Sequence, residues 1–479
     1  MSTQPGIGKD EWVARSRERT QRKGFFGPGA DMFMRLPWWV RWGLFVAFVA
    51  VIPLVTTDGY VRRVCFDTLL YVMLALGLNV VVGWGGLLDL GYVAFYGFGA
   101  YLYAWLDSNQ FHVHLPSLIA IPVVVAATAF LGFLVGLPSR RLSGDYLAIV
   151  TLFFLQAFLT IMINGESIFG VNLTNGANGI AQVDPLNLFG HHLPVAHLGV
   201  FNVAYLYVAL AFFVVVLVSL RFVNDSRTGR AWRALREDPL AAELMSMPVN
   251  RLKLMAFSFG AATAGLTGAL FASLNAGVFP ASFALPLLIT IYAMVILGGA
   301  GSQAGVVLGA VLVNVMLEVL RSPQHSRWVF YAAVLAALIA FLRPWKWFAI
   351  VLLGTLAFGI VVREVAHAIR PAWTAGATQG TDSVGRLIGH WVAIPSSLGS
   401  GKTVAYVALI AMVLTLTTLK GTKRMLFLIP TLYMGAFVWE NVLALKPEVT
   451  RFVLLGALLV GVMTTRPQGI LGTTRVEIV

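Results

Sequence analysis

The amino-acid sequence predicts an all-α fold, a polytopic transmembrane helical bundle of roughly 10–14 spans, some of them short or re-entrant. Composition is the first ground. Of 479 residues, 58% are hydrophobic and 11% charged, against about 25% charged in an average soluble domain. A soluble chain this apolar would expose large greasy patches to water. Second, uncharged runs such as residues 115–137 and 203–220 are long enough to cross a hydrocarbon core of about 30 Å. Helices follow because hydrocarbon offers an open backbone no partner. A barrel would show alternating strands of roughly ten residues, and that pattern is missing. Third, basic residues gather in alternate connecting segments, as the positive-inside bias requires.

Residues 1–37 form a polar, basic tail, with Arg15, Arg17, Arg19, Arg22 and Lys23 ahead of the first span. A cleaved leader would place a short apolar stretch nearer the start, so the tail is expected to remain, on the cytoplasmic side. Spans are expected near 38–57, 65–83, 87–106, 115–137, 145–163, 203–222 and 254–273. Others follow near 284–299, 304–320, 328–342, 347–362, 403–419, 425–441 and 450–464. Alternating them from an inside start puts most of the 34 Lys and Arg residues, and both termini, in the cytoplasm. Membrane lipid is therefore one partner. Two long segments, 164–202 and 363–402, fall outside, and one long charged loop, 224–253, falls inside.

Several chemistries drop out. The net charge of +13 comes without a basic face, RNP-like motif or zinc pattern, so no nucleic-acid partner is expected. Cys65 is the lone cysteine, which excludes an intramolecular disulfide and a thiolate metal cluster. His191, His192 and His197 read as solvated loop histidines, and no metal site is expected. Residues 396–403 (SSLGSGKT) end like a phosphate-binding loop, but Ser396 stands where that pattern needs Gly. Residues 299–304 have a GxGxxA form without a βαβ context. No catalytic constellation is present, and the chain is not expected to be an enzyme.

The inside loop reads SRTGRAWRALREDPLAAELMSMPVNRLK from Ser226 to Lys253. Residues 233–247 have Ala, Leu and Glu spaced for an amphipathic helix. Glu237, Asp238 and Pro239 suit a first turn, and Pro248 would stop the helix. Ala241 and Ala242 are small enough for close docking, while Glu243 and the flanking Arg233 and Arg236 could fix register. A solvated linker obeying the positive-inside bias is the other reading of the same residues.

Within the spans, Gly83, Gly85, Gly86, Gly91, Gly97 and Gly99, and the pairs Gly132–Gly136 and Gly305–Gly309, fit close helix packing in lipid. The sharper reading makes Asn79, Gly83, Gly85, Gly86, Asp89 and Tyr92 an irregular region lining a translocation path. An ionisable Asp89 within a span is costly and points to function. At a span boundary it would only cap a helix.

Five separated stretches carry a resemblance. They are 79–104 (NVVVGWGGLLDLGYVAFYGFGAYLYA), 174–180 (TNGANGI), 229–272 (GRAWRALREDPLAAELMSMPVNRLKLMAFSFGAATAGLTGALFA), 298–305 (GGAGSQAG) and 466–472 (RPQGILG). In this order they resemble the second permease subunit of the branched-chain amino-acid ABC importer family. The resemblance implies a permease of a bacterial cytoplasmic membrane, moving branched-chain or other apolar amino acids inward, with urea or short amides as the alternative. It implies a second related permease, two ATP-binding cassette subunits and an extracytoplasmic substrate-binding protein as partners. ATP and Mg would sit on the cassette subunits, with no cofactor on this chain. Arg233, Arg236, Glu237, Asp238, Ala241, Ala242, Glu243 and Met247 would form the ATPase-docking element. Thr174, Asn175, Gly176, Asn178 and Gly179 would form the outer-loop motif. The family usually has Gly where Ser246 stands and a polar residue at Pro248, so the exit from the docking helix departs from the pattern.

The implied division is a tail at 1–37, a permease core at 38–320 holding the coupling loop, extra transmembrane segments at 321–449, and a final span with an RPQG tail at 450–479. Residues 327–348 and 451–472 are similar and each follows a Glu (Glu318, Glu440), a hint of duplication. An ion-coupled secondary transporter would need ionisable residues deep in several spans, and apart from Asp89 the spans are nearly uncharged. A haem-binding anchor would need paired histidines inside spans, where none falls.

Overall fold

The computed structural model describes residues 37–472 except 140–141, 143, 168–169, 189–190, 194–201, 343–344, 377–386, 398, 400 and 444–445. The basic tail, Arg140, Arg141, His197 and Arg343 lie outside these residues. Each expected span has a helix. α1 is Trp38–Val55, α2 is Gly59–Leu78 continued by a π-helical turn, Asn79–Trp84, and α3 is Tyr92–Leu106. α4 (Ser117–Ser139), α5 (Asp145–Ile163) and α6 (Val203–Asp225) lead to the loop helices α7 (Arg227–Glu237) and α8 (Pro239–Leu244). α9 (Val249–Asn275), α10 (Leu285–Gly298) and α11 (Gln303–Val319) complete the core. α12 (Pro323–Phe341), α13 (Trp345–Ile369), α14 (Gly401–Thr418), α15 (Gly421–Val438) and α16 (Pro447–Thr465) follow. Ten helical segments among the described residues are long and apolar enough to cross a membrane.

Local sequence sets several starts. Asp58 accepts the Tyr60 N–H at 2.9 Å to open α2, and Asn202 accepts the Ala204 N–H at 2.9 Å to open α6. Ser302 does the same for Gly305 at 3.1 Å in α11. The expected span 87–106 is shorter as a helix: residues 85–91 are non-helical and α3 begins at Tyr92.

Two helices form the centre. Of the most apolar stretches of α2 and α9, 72% is buried, against 6% for α14, whose apolar side chains face outward. Outward apolar surface is what a lipid solvent accepts. α9 packs along α3 and α4, while α2 packs against α6, α11 and α9. The packing reading of the glycines holds here. A Cβ on Gly99 would fall 2.5 Å from the Gly265 Cα, so α3 and α9 cross backbone to backbone. Gly132 and Gly136 bring α4 against Phe257 and Leu254 of α9, and Gly305 and Gly309 bring α11 against Gly298 of α10.

On the face opposite the 227–253 loop, short strands tie the connections together. β1 (Asp107–Ser108) pairs antiparallel with β2 (Val113–His114), and β3 (Ile180–Ala181) with a later strand, β6 (Gly277–Val278). β4 (Asn187–Leu188) pairs with β5 (His191–His192).

The helices after residue 321 contact one another. α13 and α14 pack on α15, and a fully buried Arg327–Glu440 ion pair at 3.1 Å joins α12 to the π-helical turn Trp439–Leu443 after α15. Phe330 stacks on Trp439 at 4.1 Å beside it. α16 then returns to the core, where Leu455 is buried. Of the two similar segments, the second docks its tail: Ile470 and Leu471 N–H groups donate to Leu297 and Gly298 carbonyls at 2.9 and 3.0 Å. Gly299 takes φ +107° there, and a Cβ on it would fall 2.5 Å from the Gly472 nitrogen. Only glycine fits both demands.

Candidate coupling site

The 224–253 loop folds as two short helices rather than the single one expected over 233–247. Asp238 separates them, at φ −151° and ψ 105°. A residue before proline is pushed out of the α region, and Pro239 supplies that push. Asp238 Oδ1 then accepts the Leu240 and Ala241 N–H groups at 2.9 and 3.1 Å, an N-cap with Pro at the first helical position. α8 also ends before Pro248 could stop it. Ser246 N–H donates to the Glu243 carbonyl at 2.9 Å and Met247 N–H to the Ala242 carbonyl at 3.1 Å. This is the crossed pair of a Schellman cap, with Ser246 at φ +61°. A left-handed residue with a Cβ costs about 1–2 kcal/mol. Ser246→Gly is therefore expected to stabilise the protein by about 1 kcal/mol, read as a higher unfolding midpoint in detergent. An unchanged or lower midpoint would show that the cap is not under this strain.

The two faces of the loop differ in kind. Inward, Arg236 donates from Nη1 to the Gly83 carbonyl and to the Ala300 carbonyl, the latter at 3.4 Å. Trp232 is buried, donates to the Leu252 carbonyl at 2.9 Å and stacks on Trp84 with ring centres 6.4 Å apart. Trp84 in turn donates to the Gly301 carbonyl at 3.1 Å. Asn79 Oδ1 accepts the Gly301 N–H at 2.7 Å, closing the ring of contacts. Four of the five stretches noted in the sequence thus meet at one joint: the π-helical end of α2, the α10–α11 turn, the loop, and the 466–472 tail beyond Gly299.

Outward, α8 presents Leu240, Leu244 and Met245, which are 73%, 85% and 76% exposed. Glu243 and Ala241 are exposed beside them, as are Arg233, Glu237 and Asp238. The sequence reading missed the three apolar residues, although Leu240 and Leu244 stand at i,i+4 spacing. Of its docking set, Arg236 faces the membrane helices, Ala242 is buried, and Met247 packs on the core.

The residues singled out as a translocation path lie at or near the same joint. Asn79, Gly83 and Gly85 are buried in the π-helical turn and its exit, and Gly86 lies against Arg236. Asp89 is buried in the 85–91 linker, where Oδ1 accepts the Gly91 N–H at 2.9 Å and its carbonyl accepts the Tyr292 hydroxyl at 2.7 Å. Tyr92, buried in the first turn of α3, reaches Gly77 and Thr263.

The outer-loop motif is a compact turn on the opposite face. Thr174 Oγ1 donates to the Met162 carbonyl at 2.7 Å, and Asn175, Gly176 and Gly179 all take positive φ. Asn175 Nδ2 donates to the Gly179 carbonyl at 3.2 Å, and Ile180 then pairs with Val278. Asn175 and Asn178 remain exposed. Among the described residues, Asp107, His114 and Asp184 bring three possible metal ligands within 4.8 Å of one another. Their hydrogen bonds already account for the cluster: Tyr103 donates to Asp107 at 2.8 Å, and His114 Nδ1 lies 2.5 Å from Asp184.

A bundle of apolar spans with a structured loop strapped to a broken helix is the architecture of a multi-pass membrane protein. The chain belongs to the family described as branched-chain amino acid transport system permease components, whose model matches residues 60–343. It is 36% identical over 328 residues to the LivM permease protein of the high-affinity branched-chain amino acid transport system of Salmonella typhimurium, covering 64% of this chain and 74% of that one. The probable LivM of Methanocaldococcus jannaschii is 27% identical, covering 56% of this chain and 82% of that one. The LivH permease protein of Escherichia coli K12 is 24% identical, covering 51% and 80%. No solved structure matches the chain. The family match stops at residue 343, so α13 to α16 lie beyond it.

Proposed function

We propose that the chain is one permease of an ATP-driven importer for branched-chain amino acids, paired with a related permease and driven by two ATPase subunits, one of which docks on α8. The observation that carries this reading is the two-sided loop. Its outer face offers Leu240, Leu244 and Met245 beside Glu243, while its inner face is fixed through Arg236 to the end of α2 and the α10–α11 turn. Exposed apolar anchors ringed by charge suit a protein groove. A push on α8 would pass through Arg236 of α7 to the backbone at the end of α2 and in the α10–α11 turn. In this reading the loop face is cytoplasmic in a bacterial inner membrane, and ATP and Mg are held by the partner subunits. An extracytoplasmic binding protein would deliver cargo to the opposite face, where Asn175 and Asn178 are exposed.

The test is reconstitution with the neighbouring subunits in liposomes. ATP-dependent leucine uptake is expected, and Glu243→Arg and Leu244→Asp should each lower it at least about tenfold, a loss of about 1.4 kcal/mol or more of docking energy. Both variants should still insert, as read by their yield in the membrane fraction. Wild-type uptake by both would overturn the docking face. Uptake of urea or short amides instead of leucine would overturn the cargo.

A further inference from the structure

A second feature lies away from the joint, toward the opposite face. α2, α3, α9, α10, α11 and α16 line a cavity of about 320 Å³ that carries Arg63, Asp67, Asn314, Glu318 and Arg451. That volume sits at the small end of the range for ligand pockets, about 300–1,000 Å³. Asp67 stands in the third turn of α2, and Asn314 and Glu318 in the last turns of α11. Ionisable groups at such positions are costly in a membrane and mark substrate paths.

We infer that this cavity binds the α-amino and α-carboxylate groups of a zwitterionic amino acid during its passage; the inference rests on the importer reading above. Charges of both signs are displayed on one wall. Arg63 Nε is 3.0 Å from Asp67, and Arg63 Nη2 donates to Asn275 at 2.7 Å. Glu318 accepts the Tyr60 hydroxyl at 2.5 Å and meets Arg321 at 3.3 Å. Arg451 differs: its Nε is buried with no hydrogen-bond partner, and no carboxylate among the described residues lies within ion-pair distance of it. A buried guanidinium Nε–H left without a partner is a donor ready for a carboxylate, a group that arginine can meet with two parallel N–H bonds. The ammonium group falls to Asp67 and Glu318, because each carboxylate offers about four lone-pair positions and uses only some of them. Leu70, Tyr71, Tyr96 and Phe271 supply an apolar wall for a branched side chain.

Photo-leucine, a diazirine analogue, tests this on the complete transporter in nanodiscs, with peptide mapping after irradiation. Label is expected on lining positions of α2, α11 and α16, displaced by leucine but not by leucinamide or isocaproate. Asp67→Asn and Arg451→Gln should each reduce labelling at least tenfold while the partner subunits still copurify. If a variant fails to assemble, the wild-type map and its competition pattern decide. Label confined to other helices, or equal displacement by leucinamide and isocaproate, would overturn the cavity assignment. Absence of ATP-driven leucine uptake by the wild-type complex would instead overturn the importer reading.

Discussion

Arg236→Met is expected to reduce ATP-driven uptake about a hundredfold while leaving α8 free to dock. The substitution keeps a side chain of similar reach but removes the donor to the Gly83 and Ala300 carbonyls. A hydrogen bond to a charged group contributes about 1.5–3 kcal/mol, and both acceptors would lose their partner. At about 1.4 kcal/mol per factor of ten, losing two such bonds reaches the hundredfold scale. The distinguishing feature is where the loss appears. ATPase copurification should persist, because Leu240, Glu243 and Leu244 are untouched. Arg236→Lys should recover only part of the uptake, since a flexible ammonium lacks the fixed planar geometry by which Nη1 meets both carbonyls. Normal uptake by Arg236→Met would show that motion reaches α2 by another route.

Breaking the Arg327–Glu440 pair is expected to have the largest effect on stability. Both side chains are essentially fully buried, at 0% and 1% exposure, and the guanidinium meets the two carboxylate oxygens from Nε and Nη2 at 3.1 Å each. Tyr331 donates to the same carboxylate at 3.3 Å. Removing one partner leaves a buried charge, at a cost of about 3–5 kcal/mol, whereas replacing both with apolar residues can be nearly neutral. Glu440→Leu should therefore lower the unfolding midpoint in detergent sharply, and Arg327→Met with Glu440→Leu should restore most of it. A double variant no better than the single would mean that the pair adds more than mutual charge compensation.

Much of the architecture could be read from the chain because lipid imposes a simple rule. Every apolar run must be a helix, so fourteen run positions became fourteen helices with shifted ends. The loop was read correctly as helical but not as broken. The Pro239 constraint on Asp238 was present in the sequence and went unused, while the left-handed turn at Ser246 contradicts local preference and needed the backbone to reveal it. Arg236 could not be separated from Arg233 by composition; one donates to carbonyls at the end of α2 and in the α10–α11 turn, while the other is exposed and donates to Asn224 at 2.6 Å.

The polar cavity was hidden for a similar reason. Arg63 and Asp67 flank the start of one expected span, 65–83, Asn314 and Glu318 stand in another, 304–320, and Arg451 in a third, 450–464. A hydropathy profile scores each run alone. By itself the sequence determined the class of protein, the helical spans and the loop that faces water, because these depend on local apolar content and charge. Tertiary structure alone decided which charges meet, since residues hundreds of positions apart share a wall only after α2, α11 and α16 pack together. The physical cause is that membrane insertion is governed segment by segment, whereas a binding surface is made by several segments converging.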